Sequence, residues 1–114
     1  LSKIPETIQR IKAISAKYDL PIVIFGHAGD GNLHPNVLFD KRDEAQRERL
    51  NAAVSEIFET ALDVGGTLSG EHGVGVLKRA YLEKAIGKRS LILQRSIKET
   101  FDPSGIMNPG KIFA

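Results

Sequence analysis

Apolar residues recur at Ile4, Ile8, Ile11, Ile14 and Tyr18. Spacings of three and four put them on one stripe of an amphipathic helix, with Lys and Arg on the other side. The pattern predicts a helix over about residues 3–18, broken at Asp19. Residues 20–25 then form a short continuous apolar run rich in β-branched side chains, and residues 33–39 alternate imperfectly around Pro35. Both read as strands. A proline cannot donate to a sheet ladder, so the second strand is expected at an edge or with a bulge. From Asp43 to about Val64 the helical period returns through Leu50, Val54, Ile57, Phe58, Ala61 and Leu62, and Gly65-Gly66 ends it. Beyond lie an expected short strand at 67–69, a loop at 70–75 and a helix over 76–86 stopped by Gly87. A last helix opens near Ser90 and carries Leu93, Ile97 and Phe101 until Asp102-Pro103 breaks it. This order predicts an α+β fold, with helices packed on one face of a small antiparallel sheet.

Composition narrows the class. With 114 residues, 41% of them hydrophobic and 26% charged, the chain reads as one globular domain spanning 1–114. A net charge of +2, with basic residues interspersed among acids, gives no nucleic-acid footprint. No apolar run approaches the roughly 20 residues that span a bilayer, and no signal-peptide pattern opens the chain. A cytoplasmic protein, with peripheral membrane attachment left open, is expected. There is no cysteine, so any bound metal must be held by His, Asp, Glu or Asn. The start at Leu1 rather than Met suggests a piece of a longer polypeptide, and FDPSGIMNPGKIFA reads as a native terminus.

All three histidines fall in glycine-rich stretches, His27 and His34 in GHAGDGNLHPN and His72 in GGTLSGEHGVG. Asp30-Gly31 between two strand-like runs signals a hairpin with a two-residue type I′ turn. That register sets His27 directly opposite His34, with Cβ atoms about 5 Å apart. Asn36 then shares a face with His34, while Phe25 and Val23 continue it beneath His27. A register shifted by one residue would send the two imidazoles to opposite faces. Two histidines beside a hairpin are equally readable as a hydrogen-bonded pair, and Asp30 as a turn former.

GEHG at 70–73 adds a hard anionic group, Glu71, and a ligand or base, His72. Consecutive residues of an extended chain point in opposite directions, so the two are expected to do different jobs. An exposed turn with a solvated carboxylate is the plainer alternative. Together, His27, His34 and Glu71 make the set of two His and one carboxylate that leaves coordination positions open to a substrate.

GHAGDGNLHPN, SGEHGVG and FDPSGIMNPGK, in this order and with a long helix between the first two, resemble the C-terminal part of FAD-linked oxidases of the vanillyl-alcohol oxidase type. Within that family the likeness is to the flavin subunit of glycolate oxidase and to D-lactate and D-2-hydroxyglutarate dehydrogenases. The resemblance runs from Pro21 to Phe113 and implies a ferredoxin-like part of the FAD-linked oxidase C-terminal fold. It implies His27, His34 and Glu71 as ligands of a divalent ion, zinc or manganese, and His72 as the base that takes a hydroxyl proton. It further implies Asn36 as a substrate contact and Asn108 and Lys111 of the NPGK segment as flavin-side residues.

The expected activity is FAD-dependent oxidation of a small 2-hydroxy acid, glycolate or D-lactate in type, by a substrate-domain fragment that is inactive alone. The chain shows no glycine-rich phosphate loop between a strand and a helix, so FAD must be held mainly by an N-terminal domain outside this sequence. An electron-acceptor subunit is a further expected partner. Two rivals remain at this level: a free-standing metal-dependent hydrolase built on the same three ligands, and a non-catalytic α+β interaction module.

Overall fold

A computed structural model describes residues 1–113. Among them are three α-helices and a two-stranded antiparallel sheet: α1 (Ile4–Tyr18), β1 (Ile22–His27), β2 (Asn32–Val37), α2 (Glu44–Asp63) and α3 (Leu82–Phe101), the last entered through a 3₁₀ turn at Arg79–Tyr81. The architecture is α+β, as the sequence predicts. The chain groups into two compact units, Leu1–Gly66 and a second beginning at Thr67.

In the first unit, α1 starts with Pro5 in its first turn, where a missing N–H costs nothing, and ends on Asp19 in the left-handed conformation. The α2 helix is capped by the Asp43 carboxylate, which accepts from the Gln46 amide at 3.0 Å. Its C-terminus closes as a Schellman motif, with Gly66 N–H donating to the Ala61 carbonyl and Gly65 N–H to that of Leu62. The predicted boundaries of both helices hold to within a residue. The core consists of Ile14 from α1, Leu20 from the connection, and Ala53 and Ile57 from α2, with Ile22, Val37 and Phe39 packed against it. Two polar ties flank it on the surface. Arg10 pairs with Asp63 at 2.9 Å, and Glu56 accepts from both Lys17 and Tyr18. Those two donors hold the Glu56 carboxyl below its ordinary range.

The hairpin pairs Ile22 with Val37, Ile24 with Pro35, Phe25 with His34, Gly26 with Leu33 and His27 with Asn32. The expected two-residue turn is therefore replaced by a four-residue loop, 28–31. The reason is conformational. A type I′ turn needs positive φ at both central residues, and Gly31 has it whereas Asp30 does not. Instead Asp30 N–H donates to the His27 carbonyl at 3.0 Å and Gly31 N–H to that of Ala28 at 3.4 Å, two overlapping turns. His27 consequently faces Asn32, and His34 lies two pairs further along, opposite Phe25.

The Leu38 amide bonds the Pro21 carbonyl at 2.8 Å. Antiparallel ladders alternate, so Phe25 and His34 form a hydrogen-bonded pair and Ile24 and Pro35 a non-bonded one. The Pro35 nitrogen thus faces away from β1, where its missing N–H is harmless. The edge position holds, and the register runs without a bulge.

In the second unit, the expected strand at 67–69 does not form. No segment among the described residues pairs with it, although Leu68 is buried. The helix predicted from Val76 begins later, at Leu82, because the Gly75 carbonyl takes both the Lys78 and Arg79 amides and tightens that stretch into turns. Gly87, at φ 78° and ψ 154°, interrupts α3, so the second arm starts just beyond it. The two helices predicted on either side of Gly87 are the two arms of α3.

Candidate metal and substrate site

Side chains alternate along β1 and β2. Ile22, Ile24 and Val37 are partly buried on the side of the helices, while Val23, Phe25 and His27 are exposed on the other. Register places Asn32, His34 and Asn36 on that same outer face. The grouping predicted from sequence survives although its register does not, because the pairing moved by two residues, which keeps every side chain on its own side. His27 and His34 are diagonal neighbours with ring centroids 5.5 Å apart, edge to face, and Phe25 stacks on His34 at 5.3 Å. Two imidazoles above an aromatic floor, with the Asn36 amide further along, make a borderline nitrogen-donor pair of the kind that suits zinc.

Gly26 permits this arrangement. A Cβ there would stand 2.1 Å from the Asn32 carbonyl oxygen and 3.0 Å from the Leu33 Cα. Any side chain would push β2 away just where His27 passes Asn32.

Glu71 and His72 belong to the second unit. The chain bends at both positions, so their side chains do not diverge as an extended segment requires. His72 Nε2 approaches Glu71 Oε1 at 3.6 Å, too far for a hydrogen bond but close enough for the carboxylate to bear on the ring. Both are exposed.

The segment holding Asn108 and Lys111 follows α3 and is folded back by two side chains that sequence reasoning did not single out. Asp102, read only as a helix breaker, is 6% exposed and accepts from the amides of Ile106 and Met107, each at 3.0 Å, while pairing with Lys98. The Lys98 ammonium beside it holds its carboxyl below the ordinary aspartate range, with the Met107 and Ile106 amides adding to the effect. Arg79 Nη1 donates to the Gly110 carbonyl at 2.9 Å and to that of Lys111 at 3.4 Å. Asn108 is left-handed at φ 49°, a conformation that asparagine tolerates. The Asp-Pro-Ser-Gly run carried a turn signal that pointed to Asp102. Arg79 had no comparable local signal.

Among the described residues no strand leads through a glycine-rich loop into a helix. No described helix is long and apolar enough to cross a membrane.

The family described as FAD linked oxidases, C-terminal domain, matches residues 1–112. Among curated relatives, glycolate oxidase subunit GlcD of Bacillus subtilis is 49% identical over 99% of this chain and 24% of its own length. D-2-hydroxyglutarate dehydrogenase of Stutzerimonas stutzeri is 44% identical over 100% of the chain and 25% of its own length. The mitochondrial cytochrome-type D-lactate dehydrogenase of Arabidopsis thaliana is 42% identical over 98% and 20%. The chain thus spans a quarter or less of each of these three relatives.

Proposed function

The chain belongs to the family of FAD-linked oxidase C-terminal domains, and from that premise we propose that it is the substrate- and metal-binding part of a longer flavoenzyme that oxidises a small 2-hydroxy acid. The observation that carries the reading is the match over residues 1–112 to a family of flavin enzymes, with relatives named for glycolate, D-2-hydroxyglutarate and D-lactate. The same match favours a flavin partner over the free-standing hydrolase and over a non-catalytic module.

In this reading His27, His34 and Glu71 hold a divalent ion, and Asn36 contacts the substrate from the outer face of the hairpin. When bound, the ion acidifies the 2-hydroxyl and the flavin supplies the hydride acceptor for C2. The imidazole of His72 takes the proton from the 2-hydroxyl oxygen. Phe25 stacks on the His34 ring and fixes its orientation. Asn108 and Lys111 face the flavin, whose binding rests mainly on the N-terminal domain of the longer protein. An acceptor subunit then takes the electrons onward.

The test is the full-length gene product, which should purify yellow and reduce an artificial acceptor with glycolate or D-lactate. A product without flavin and without 2-hydroxy-acid oxidation defeats the reading. Metal analysis assigns the residues. His27→Ala and Glu71→Ala should lose both metal and activity, whereas His72→Ala should keep the metal and lose at least about 100-fold in kcat. Loss of metal in His72→Ala would move His72 into the ligand set.

A further inference from the structure

One residue of the second unit is bonded through its backbone to Gly75, at the end of the loop bearing Glu71 and His72, and through its side chain to the turn that carries Lys111. The backbone N–H of Arg79 donates to the Gly75 carbonyl at 2.9 Å, which fixes Arg79 to the end of the loop bearing Glu71 and His72. Its guanidinium meanwhile holds the carbonyls of Gly110 and Lys111. Four residues separate it from Gly75, and about thirty separate it from the second pair of partners. The Asp102 carboxylate fixes the near side of the same return through Ile106 and Met107, while Arg95 lies over the Phe113 ring at 5.1 Å. The turn at 108–111 is thus held on both sides, and the Arg79 contact ties it to the segment that follows Gly75.

We propose that Arg79 is a positioning residue that sets the distance between the His72 loop and the turn carrying Asn108 and Lys111, and so between base and flavin. The inference rests on the functional reading above for the roles of His72 and of that turn. Its physical basis is that proton removal and hydride departure occur on adjacent atoms of one substrate. The base and the hydride acceptor must therefore be held in mutual register, and an offset of about 1 Å costs on the order of 100-fold in rate. A planar guanidinium suits the task. Its donors are rigidly disposed, and Nη1 reaches the two adjacent carbonyls at once.

The experiment uses the full-length flavoenzyme and the variants Arg79→Met and Arg79→Lys. Three readouts are taken: kcat and KM per bound flavin with the preferred hydroxy acid, the visible spectrum of the resting flavin, and amide hydrogen exchange over residues 108–113. Arg79→Met should lower kcat at least about ten-fold with KM changed less than about two-fold. It should also shift the flavin bands and speed exchange in the 108–113 turn. Arg79→Lys, which keeps the charge and donors but on a shorter, flexible stem, should fall between Met and wild type in all three, and it carries the test alone if the Met variant does not fold. Wild-type values of kcat, spectrum and exchange in these variants overturn the inference. So does a loss of thermal stability accompanied by unchanged kcat per flavin. If the wild-type protein binds flavin but oxidises no 2-hydroxy acid, the functional reading fails instead, and the spectrum and exchange still decide the role of Arg79.

Discussion

The α1 and α3 helices carry the same kind of apolar stripe and meet opposite fates. In α1, Ile11 and Ile14 are 2% and 3% exposed. In the second arm of α3, Leu93, Ile97 and Phe101 repeat at four-residue spacing and remain 62%, 51% and 79% exposed. Periodicity states that a helix has an apolar side. What covers that side depends on the rest of the fold. For α1 the cover is within its own unit, from α2 and the hairpin. For α3 the described residues leave the stripe open, and a patch of this kind is a surface for further protein. The longer flavoenzyme proposed above offers such a cover, consistent with relatives four to five times the length of this chain.

The comparison can be broken by mutation. The largest effect should come from Ile14→Ala, which opens a cavity beside Leu20, Ala53 and Ile57 and should cost about 2–5 kcal/mol in urea unfolding of this chain. A loss under 1 kcal/mol would mean that the first unit lacks the tight core described. Gly26→Ala comes next. Its Cβ meets backbone rather than a movable side chain, so about 1–3 kcal/mol should be lost. The His27 and His34 ring resonances should also separate in their response to titrated Zn²⁺. Smallest is Leu93→Ser on the open stripe, expected within about 0.5 kcal/mol of wild type. A large loss there would show that α3 is covered after all.

A pH experiment sharpens the contrast inside the second unit. The Asp102 carboxyl titrates below its ordinary range of about 4 because Lys98 and two amides favour the anion. Its contribution is therefore full above that range and is lost as pH falls through the lowered folded value. The Ile106 and Met107 amide resonances should hold steady at neutral pH and move in acid, below pH 4. In Asp102→Asn that acid transition should vanish, with the 105–113 segment already loosened at pH 7.

Most elements were legible because each rests on a local period: α1, α2, both strands and the second arm of α3 all follow from spacing and from breakers such as Asp19, Gly65 and Gly87. The face shared by His27, His34 and Asn36 was legible for the same reason. The hairpin tip was not, since Ala28-Gly29-Asp30-Gly31 contains both a two-residue and a four-residue solution, and only the φ of Asp30 distinguishes them. The expected strand at 67–69 failed because strand formation needs a partner, and sequence period does not report one. Arg79 was invisible as a support because its partners are backbone carbonyls, which carry no letter in the sequence, whereas Asp102 was legible only as the start of a turn.

The hairpin register has a consequence for how this protein can change. Pairing that slips by two residues keeps both imidazoles together, as the difference between the two turn solutions demonstrates. Pairing that slips by one separates them. An insertion at 28–31 is therefore harmless when the loop absorbs it or when the strands shift by an even number, and ruinous when they shift by an odd one. Loop grafts at this tip should therefore be sorted by the parity of the register shift rather than by their size.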